Sequence, residues 1–165
     1  MLSLIIAAAA QTCPSVGTGW TSTTLDSNIS YVAHHRVEGT TLNLRLTAAS
    51  TGWLGFGFAE GSTGHMKGSD MVTVNVVNGQ VYVDDRYAEF VASTYTAAAG
   101  AGYVGLTALV DTHQDWTIVS GSESGGNMEV WLTRELNTTD SQDRAVNTEG
   151  STRITWAWGA SDSVR

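Results

Sequence analysis

Apolar and polar residues alternate one for one along much of the chain. Leucine recurs at every second position of Thr41–Thr47, and valine does so in Met71–Val77 and again in Gln80–Asp84. A period of two is typical of a strand with one face buried. The last two runs are separated by Asn78-Gly79, a dipeptide that accepts the positive φ angles of a type I′ turn. The pattern therefore predicts a β-hairpin at this point.

The same alternation predicts further strands, and no segment competes with them as a long helix. The strongest helical candidate, Ala97–Leu109, contains three glycines, each of which costs about 1 kcal/mol relative to alanine in a helix. Short strands separated by Gly, Ser and Asn are typical of a β-sandwich or barrel, so we predict an all-β fold. The additional strands are predicted at Ser30–Val37, Trp53–Ala59, Asp115–Ser120, Asn127–Arg134 and Arg153–Gly159.

Composition limits the classes of function that the chain can have. Its 165 residues are enough for one domain with a sizeable core. The formal net charge of −8, with only 8 Lys and Arg, excludes a nucleic-acid partner and an anionic membrane surface, because both require a basic face. Cys13 is the one cysteine, which excludes an internal disulfide and a multi-thiolate zinc site.

The first residues have features of a secretory signal peptide. Met1–Ala10 is an apolar run that ends in small residues suited to cleavage, although it lacks a basic start. We assign residues 1–13 to a signal peptide, with a buried N-terminal strand as the alternative, and expect a secreted or lumenal protein. Sequons at Asn28 and Asn137 are compatible with that route. The run is shorter than the about 20 apolar residues that span a bilayer, and no later segment resembles a transmembrane helix.

Histidines and paired acids are the first candidates for chemistry. His34 and His35 are adjacent in a predicted strand, so their side chains point to opposite faces and cannot chelate one ion together. Asp84 and Asp85 have the same geometry. No G-x-S-x-G segment precedes a helix, so the sequence does not indicate the nucleophile elbow of a hydrolase. Loop or surface imidazoles are the favoured interpretation of the histidines.

A hard-metal patch is a second candidate. Asp111, His113 and Asp115 alternate onto one face if this segment is extended, and their carboxylates are suitable ligands for a hard cation. Calcium usually takes six or more oxygen ligands, and only two carboxylates are in view here. A solvated loop edge is therefore the favoured interpretation of these residues.

The most informative segment is Trp53–Tyr87. It contains W-L-G-F-G-F, then M-K-G-S-D-M-V, then a hairpin that ends in D-D-R-Y. Later segments are D-T-H-Q-D-W-T, R-E-L-N-T-T-D-S-Q-D-R and R-I-T-W-A-W-G. In this order and spacing the chain resembles the DOMON domain family over roughly residues 20–160. The resemblance implies an immunoglobulin-like two-sheet β-sandwich over residues 20–165, secreted or lumenal.

The resemblance also implies a candidate haem ligand. One kind of DOMON domain, exemplified by the cytochrome domain of cellobiose dehydrogenase, holds haem b between a Met and a His and transfers electrons. Met66 falls at the position of that Met, with His65 beside it in the candidate pocket. The haem-binding members place the His a few residues beyond W-A-W-G, whereas residues 160–165 contain none. Either residues that follow Arg165 in a longer protein hold the His, or His65, His34 or His35 substitutes, or no haem binds. For the 165 residues as given we expect weak uptake of haem or none.

In the second kind, the domain is the N-terminal module of copper-dependent monooxygenases similar to dopamine beta-monooxygenase. The segments D-T-H-Q-D-W-T and R-E-L-N-T-T-D-S-Q-D-R favour this kind. Within them, Arg134 with Asp140 or Asp143 is expected to form a corner salt bridge, which in water contributes about 0–1 kcal/mol. Four histidines cannot supply two copper sites of several imidazoles each, so we expect no catalysis by the chain alone.

We therefore expect a secreted DOMON-type ligand-binding or regulatory module, part of a copper-monooxygenase-like protein and partnered by an adjoining redox domain. The first alternative is a haem b electron-transfer domain that uses Met66. The second is a carbohydrate-binding module, in which exposed aromatic rings such as Trp20, Tyr31 or Tyr103 stack on a sugar, although burial in the core is favoured for most of them.

Overall fold

The computed structural model describes residues 17–59, 67–91 and 105–162. Every regular element among these residues is a strand, which confirms the all-β prediction. The described residues also contain no helix with the length and apolar character needed to cross a membrane. The strands are β1 Thr21–Asp26, β2 Tyr31–Glu38, β3 Thr41–Ala48, β4 Trp53–Phe58, β5 Asp70–Val77, β6 Gln80–Val91, β7 Gly105–Val110, β8 Thr117–Ser124, β9 Asn127–Glu135 and β10 Ile154–Gly159.

The strands form two five-stranded sheets. Sheet 1 has the order β1-β2-β3-β9-β8, and sheet 2 has the order β10-β4-β5-β6-β7. All neighbouring strands pair antiparallel. One hydrophobic cluster fills the space between the sheets, so the predicted two-sheet sandwich is confirmed. Its members include Leu42, Leu44 and Leu46 of β3, Met128, Val130 and Leu132 of β9, Phe56 and Phe58 of β4, and Val72, Val74 and Val76 of β5.

The predicted hairpin joins β5 to β6. Val77 lies opposite Gln80, and Asn78 and Gly79 between them have φ angles of 52° and 77°. Positive φ at both central residues is the requirement of a type I′ turn, whose twist matches that of the flanking strands. The dipeptide therefore adopts the conformation that the sequence predicts.

The strands differ from the predictions mainly where the apolar pattern is weak. β1 and β7 were not predicted, and β6 continues beyond Asp84 to Val91. β1 has the sequence T-S-T-T-L-D and is mostly exposed, so it carries no apolar stripe. Residues 105–109 of the helical candidate lie in β7, and residues 97–104 lie outside the described residues.

The connection from β9 to β10, residues 136–153, crosses from sheet 1 to sheet 2 at one end of the sandwich. It is fixed to the turn before β3 by the Leu136 amide, which donates to the Thr40 carbonyl at 2.7 Å. It is fixed to β5 by the Arg144 amide, which donates to Asp70 Oδ2 at 2.9 Å. This crossing brings Asp140 and Asp143 close to the start of β5 and to the loop that precedes β8.

Candidate functional site

The two residues predicted for a haem pocket, His65 and Met66, lie outside the described residues, as do residues 1–13 and Tyr103. Their role, the signal peptide and secretion therefore stay predictions. The flanking residues are described: the Ala59 amide donates to the Arg153 carbonyl at 3.0 Å, and the Gly68 amide to the Ala88 carbonyl at 2.7 Å. Ala59 and Gly68 therefore both lie at the end of sheet 2 where β4 ends and β5 begins.

The two adjacent histidines face opposite ways, as predicted. His34 Nδ1 lies 2.7 Å from Ser22 Oγ on the outer face of sheet 1. Burial and the charge of Arg45 lower the pKa of His34. His35 is exposed and lines a cavity on the inner side of the same sheet. Of these two histidines, His35 is therefore the one whose imidazole the fold places against the interior.

This inter-sheet cavity has a volume of about 620 Å³ and lies between β1–β3 of sheet 1 and β4 and β10 of sheet 2. Its walls are apolar because the inward residues of β3 and β4 form them. Polar residues of the β9–β10 connection, between Asn147 and Thr152, line the same cavity. The full lining is Thr23, Ala33, His35, Val37, Leu42, Leu44, Phe56, Phe58, Val146, Asn147, Thr148, Gly150, Ser151, Thr152 and Ile154.

Beside the cavity, β10 exposes two tryptophans at the edge of sheet 2. Trp156 and Trp158 are 40% and 37% exposed. Trp158 Nε1 donates to Asp26 Oδ2 at 3.2 Å, which links the edge strands of the two sheets. Tyr31 contacts Trp156 edge-on at 6.2 Å but is itself fully buried, with its hydroxyl donating to the Gly55 carbonyl at 2.9 Å. Tyr31 therefore has no exposed ring face for a sugar.

A buried acidic cluster, Asp70, Asp85 and Asp143, surrounds Arg134 at the end of the sandwich near the β9–β10 connection. Asp70 and Asp85 are 0% exposed and Arg134 is 3% exposed. Each of these three residues shares the inward parity of its strand: Asp70 precedes the valines of β5, Asp85 follows the valines of β6, and Arg134 follows the apolar stripe of β9. The three strands therefore change from apolar to charged side chains at the same level of the core.

The guanidinium of Arg134 is fully engaged in this cluster. Its Nη1 lies 2.6 Å from Asp70 Oδ2 and 3.8 Å from Asp143 Oδ2, and its Nη2 donates to the Arg144 carbonyl at 2.7 Å. It also lies over the ring of Trp116, 5.2 Å from the centroid. The predicted salt bridge between Arg134 and Asp143 is therefore present, but the prediction of a solvated pair is wrong, because the pair is buried and Asp70 is the nearer partner.

The cluster holds more carboxylates than positive charges. Asp70 Oδ1, Asp85 Oδ1 and Asp143 Oδ2 are buried and accept no hydrogen bond from the described residues. Burial raises the pKa of Asp85 to about 7, against the opposing effect of the Asp115 amide that donates to it. Burial also raises the pKa of Asp70 and of Asp143. Oxygens of the three acids lie within 4.8 Å of one another, so the cluster can take up protons or hold a hard cation.

A second group, Asp111, His113 and Asp140, lies nearer the surface; we call it the His113 cluster. His113 Nδ1 is 2.9 Å from Asp140 Oδ2, and the His113 amide donates to Asp111 Oδ1 at 3.0 Å. The alternative of a metal patch formed by Asp111, His113 and Asp115 on one strand face is wrong, because residues 111–116 form a loop, as the favoured interpretation predicts. The Asp115 amide donates to Asp85 instead. Asp140, which the sequence indicates only as a candidate partner of Arg134, joins the His113 cluster from a different connection.

Nearly all of the described sandwich falls within a region that matches a known protein family. The profile of the DOMON domain family matches residues 26–159, and the chain therefore belongs to the DOMON domain family. It is 27% identical to DBH-like monooxygenase protein 1 of Homo sapiens over 141 residues, which cover 86% of this chain and 20% of that protein. The protein of the same name from Gallus gallus is 27% identical over 156 residues, which cover 94% of this chain and 22% of that protein.

The chain thus spans about a fifth of the length of the curated relatives it matches. Among solved structures, the cytochrome domain of Myriococcum thermophilum cellobiose dehydrogenase aligns with a TM-score of 0.56 and 13% identity. The alignment covers 87% of this chain and 70% of that domain. At this identity the likeness concerns the fold alone.

Proposed function

We propose that the chain is the DOMON module of a larger, secreted copper-monooxygenase-like protein, and that it binds a small apolar ligand in the inter-sheet cavity. In this proposal the module is not catalytic by itself, and an adjoining redox domain is its partner. The similarity to DBH-like monooxygenase protein 1 over a fifth of that protein's length supports the larger context. The observation that carries ligand binding is the cavity.

The cavity has the size and lining of a small-molecule site. Its volume of about 620 Å³ falls inside the range of about 300–1,000 Å³ typical of such sites. Leu42, Leu44, Phe56 and Phe58 provide an apolar wall, and none of the described lining residues is Asp, Glu, Lys or Arg. A ligand with a neutral apolar body and a few polar atoms near Asn147–Thr152 is complementary to this lining.

A charge placed on the cavity wall is expected to abolish binding of an apolar probe. Val37 lines the cavity and is 40% exposed. In Val37→Asp the new carboxylate therefore lies at the cavity wall but stays in contact with solvent. We expect at least a tenfold loss of affinity for the neutral fluorescent probe N-phenyl-1-naphthylamine, because a charge beside an apolar ligand must be desolvated. The measurement is probe fluorescence during titration with protein.

The matched control is Val119→Asp, since Val119 is 39% exposed and lies outside the cavity lining. This variant is expected to bind the probe as the unchanged protein does. An equal loss of probe affinity in both variants, or the absence of saturable probe binding by the unchanged protein, would contradict the proposal.

A haem b electron-transfer domain is the second candidate function, and the position of His35 favours it. His35 lines the cavity from sheet 1, and Phe58 lines it from sheet 2. Phe58 is followed along the chain, after Ala59, by the segment that contains His65 and Met66. An imidazole at the wall of an apolar cavity is a suitable ligand for haem iron. A thioether ligand such as that of Met66 would raise the reduction potential of the haem. Haem bound there would supply one-electron transfer.

In this second candidate, titration with haemin is expected to give a low-spin absorbance spectrum that His35→Ala removes. The matched control is His34→Ala, which changes the adjacent imidazole on the opposite face. Met66→Ala is expected to remove the six-coordinate spectrum while leaving an imidazole-bound form. If His34→Ala and His35→Ala behave alike, or haemin causes no spectral change, the electron-transfer candidate is discarded and the apolar-ligand proposal is left standing.

A further inference from the structure

Independently of the proposed function, we infer that the His113 cluster is a binding site for a divalent transition-metal ion of the Zn²⁺ class. The three side chains are Asp111, His113 and Asp140, which offer one ring nitrogen and two carboxylate oxygens within 4.8 Å of one another. They come from two different connections, residues 111–116 before β8 and residues 136–153 before β10.

Burial makes the two carboxylates an unusual pair. Asp111 is 5% exposed, and the side chain of Asp140 is 9% exposed. Two ionised carboxylates that are close together and poorly hydrated repel each other unless a positive charge lies between them. His113 alone supplies at most one such charge, and its ring nitrogen already faces Asp140 at 2.9 Å. A divalent cation would neutralise both acids.

An unsatisfied oxygen points to the same missing group. Asp111 Oδ1 accepts the His113 amide, whereas Asp111 Oδ2 is buried and accepts no hydrogen bond from the described residues. Buried polar atoms are nearly always paired with protein, water or an ion. Asp111 thus has a buried oxygen without a partner among the described residues, and its carboxylate belongs to the group in which His113 and Asp140 are already in contact.

The donor set indicates the kind of ion. One imidazole with two carboxylates suits Zn²⁺ or a similar transition ion better than Ca²⁺, which takes oxygen ligands only. Two ligand atoms on one tetrahedral zinc, with bonds of about 2.0–2.1 Å, lie about 3.3 Å apart. The 2.9 Å between His113 Nδ1 and Asp140 Oδ2 is close to that separation. The His113 side chain is 75% exposed, so its rotamer can adjust and a water can complete the shell.

The test is titration of the full chain, first treated with EDTA and desalted, with Zn²⁺ by calorimetry and with Co²⁺ by visible absorbance. We expect one ion per chain and d–d bands that indicate mixed nitrogen and oxygen ligation. His113→Ala removes an exposed side chain and leaves the core intact, and it is expected to lower the affinity at least tenfold. Asp140→Asn is expected to have a similar effect.

Three further variants separate this site from others. His34→Ala is the imidazole control and Glu149→Gln the carboxylate control, since neither residue belongs to the His113 cluster, and both are expected to bind as the unchanged protein does. Asp85→Asn removes a member of the buried acidic cluster and is also expected to leave Zn²⁺ affinity unchanged. Absence of binding, or binding lost in Asp85→Asn but retained in His113→Ala, would overturn the inference.

Discussion

Arg134→Met is expected to lower the free energy of unfolding by about 3–5 kcal/mol at pH 7, because it leaves buried carboxylates without their positive partner. Arg134 has no exposed side-chain surface, and its guanidinium contacts Asp70, Asp143 and the Arg144 carbonyl. Methionine replaces the aliphatic stem but none of these contacts. The measurement is urea unfolding followed by tryptophan fluorescence.

The loss caused by Arg134→Met is expected to shrink at pH 5. The pKa values of Asp70, Asp85 and Asp143 are all raised by burial, so in mild acid protons neutralise the carboxylates that the arginine no longer balances. Arg153→Met is the control, since Arg153 is exposed, and a change within about 0.5 kcal/mol is expected there. Equal losses for the two variants would show that the buried pair contributes no more than a surface arginine.

The unchanged protein is expected to lose stability as the pH rises from 4 to 8, and Asp85→Asn to remove much of that loss. Folding raises the pKa of Asp85 from 3.8 to about 7, so the folded state binds more protons than the unfolded chain in this window. Stability therefore falls with increasing pH. At 1.36 kcal/mol per pKa unit, the variant should be more stable by roughly 2–4 kcal/mol at pH 8 and no more stable at pH 4.

The control for Asp85→Asn is its neighbour on the opposite face. Asp84 pairs with Arg86 at 2.7 Å and its side chain is 45% exposed, so Asp84→Asn is expected to cost about 0–1 kcal/mol with no gain at pH 8. Both variants are measured in EDTA, since a cation held by the buried acidic cluster would stabilise the ionised form. A stability profile of Asp85→Asn parallel to that of the unchanged protein would contradict the expected titration.

Much of the sandwich could be predicted because its core strands have a strict period of two. The leucines of β3 and the valines of β5 place one face in the core, and Asn78-Gly79 sets the register of the hairpin. β1 could not be predicted in the same way. It is a mostly exposed edge strand, so its position depends on pairing with β2 rather than on an apolar stripe.

The buried acidic cluster could have been predicted in part from the same parity. Asp70, Asp85 and Arg134 each continue an apolar stripe, and a charge at an inward position implies an opposite charge in the facing sheet. The family resemblance indicates Asp143 as a partner of Arg134, but its burial and the contact of Asp140 with His113 could not be predicted, because irregular connections have no period from which a contact can be read. The inter-sheet cavity likewise depends on how two edge strands and a connection are placed, which is a long-range property.

The pairing of β10 with β4 decides which end of β10 borders the inter-sheet cavity. Ile154 lies opposite Phe58 and Gly159 opposite Trp53, so β10 begins where β4 ends. Five residues of strand separate the two ends of β10, a distance of about 17 Å at about 3.4 Å per residue. Ile154 lines the cavity together with Phe58 and His35, whereas Trp158 and Gly159 are not among its described lining residues. A ligand in the cavity would therefore meet the first residue of β10 and not the last.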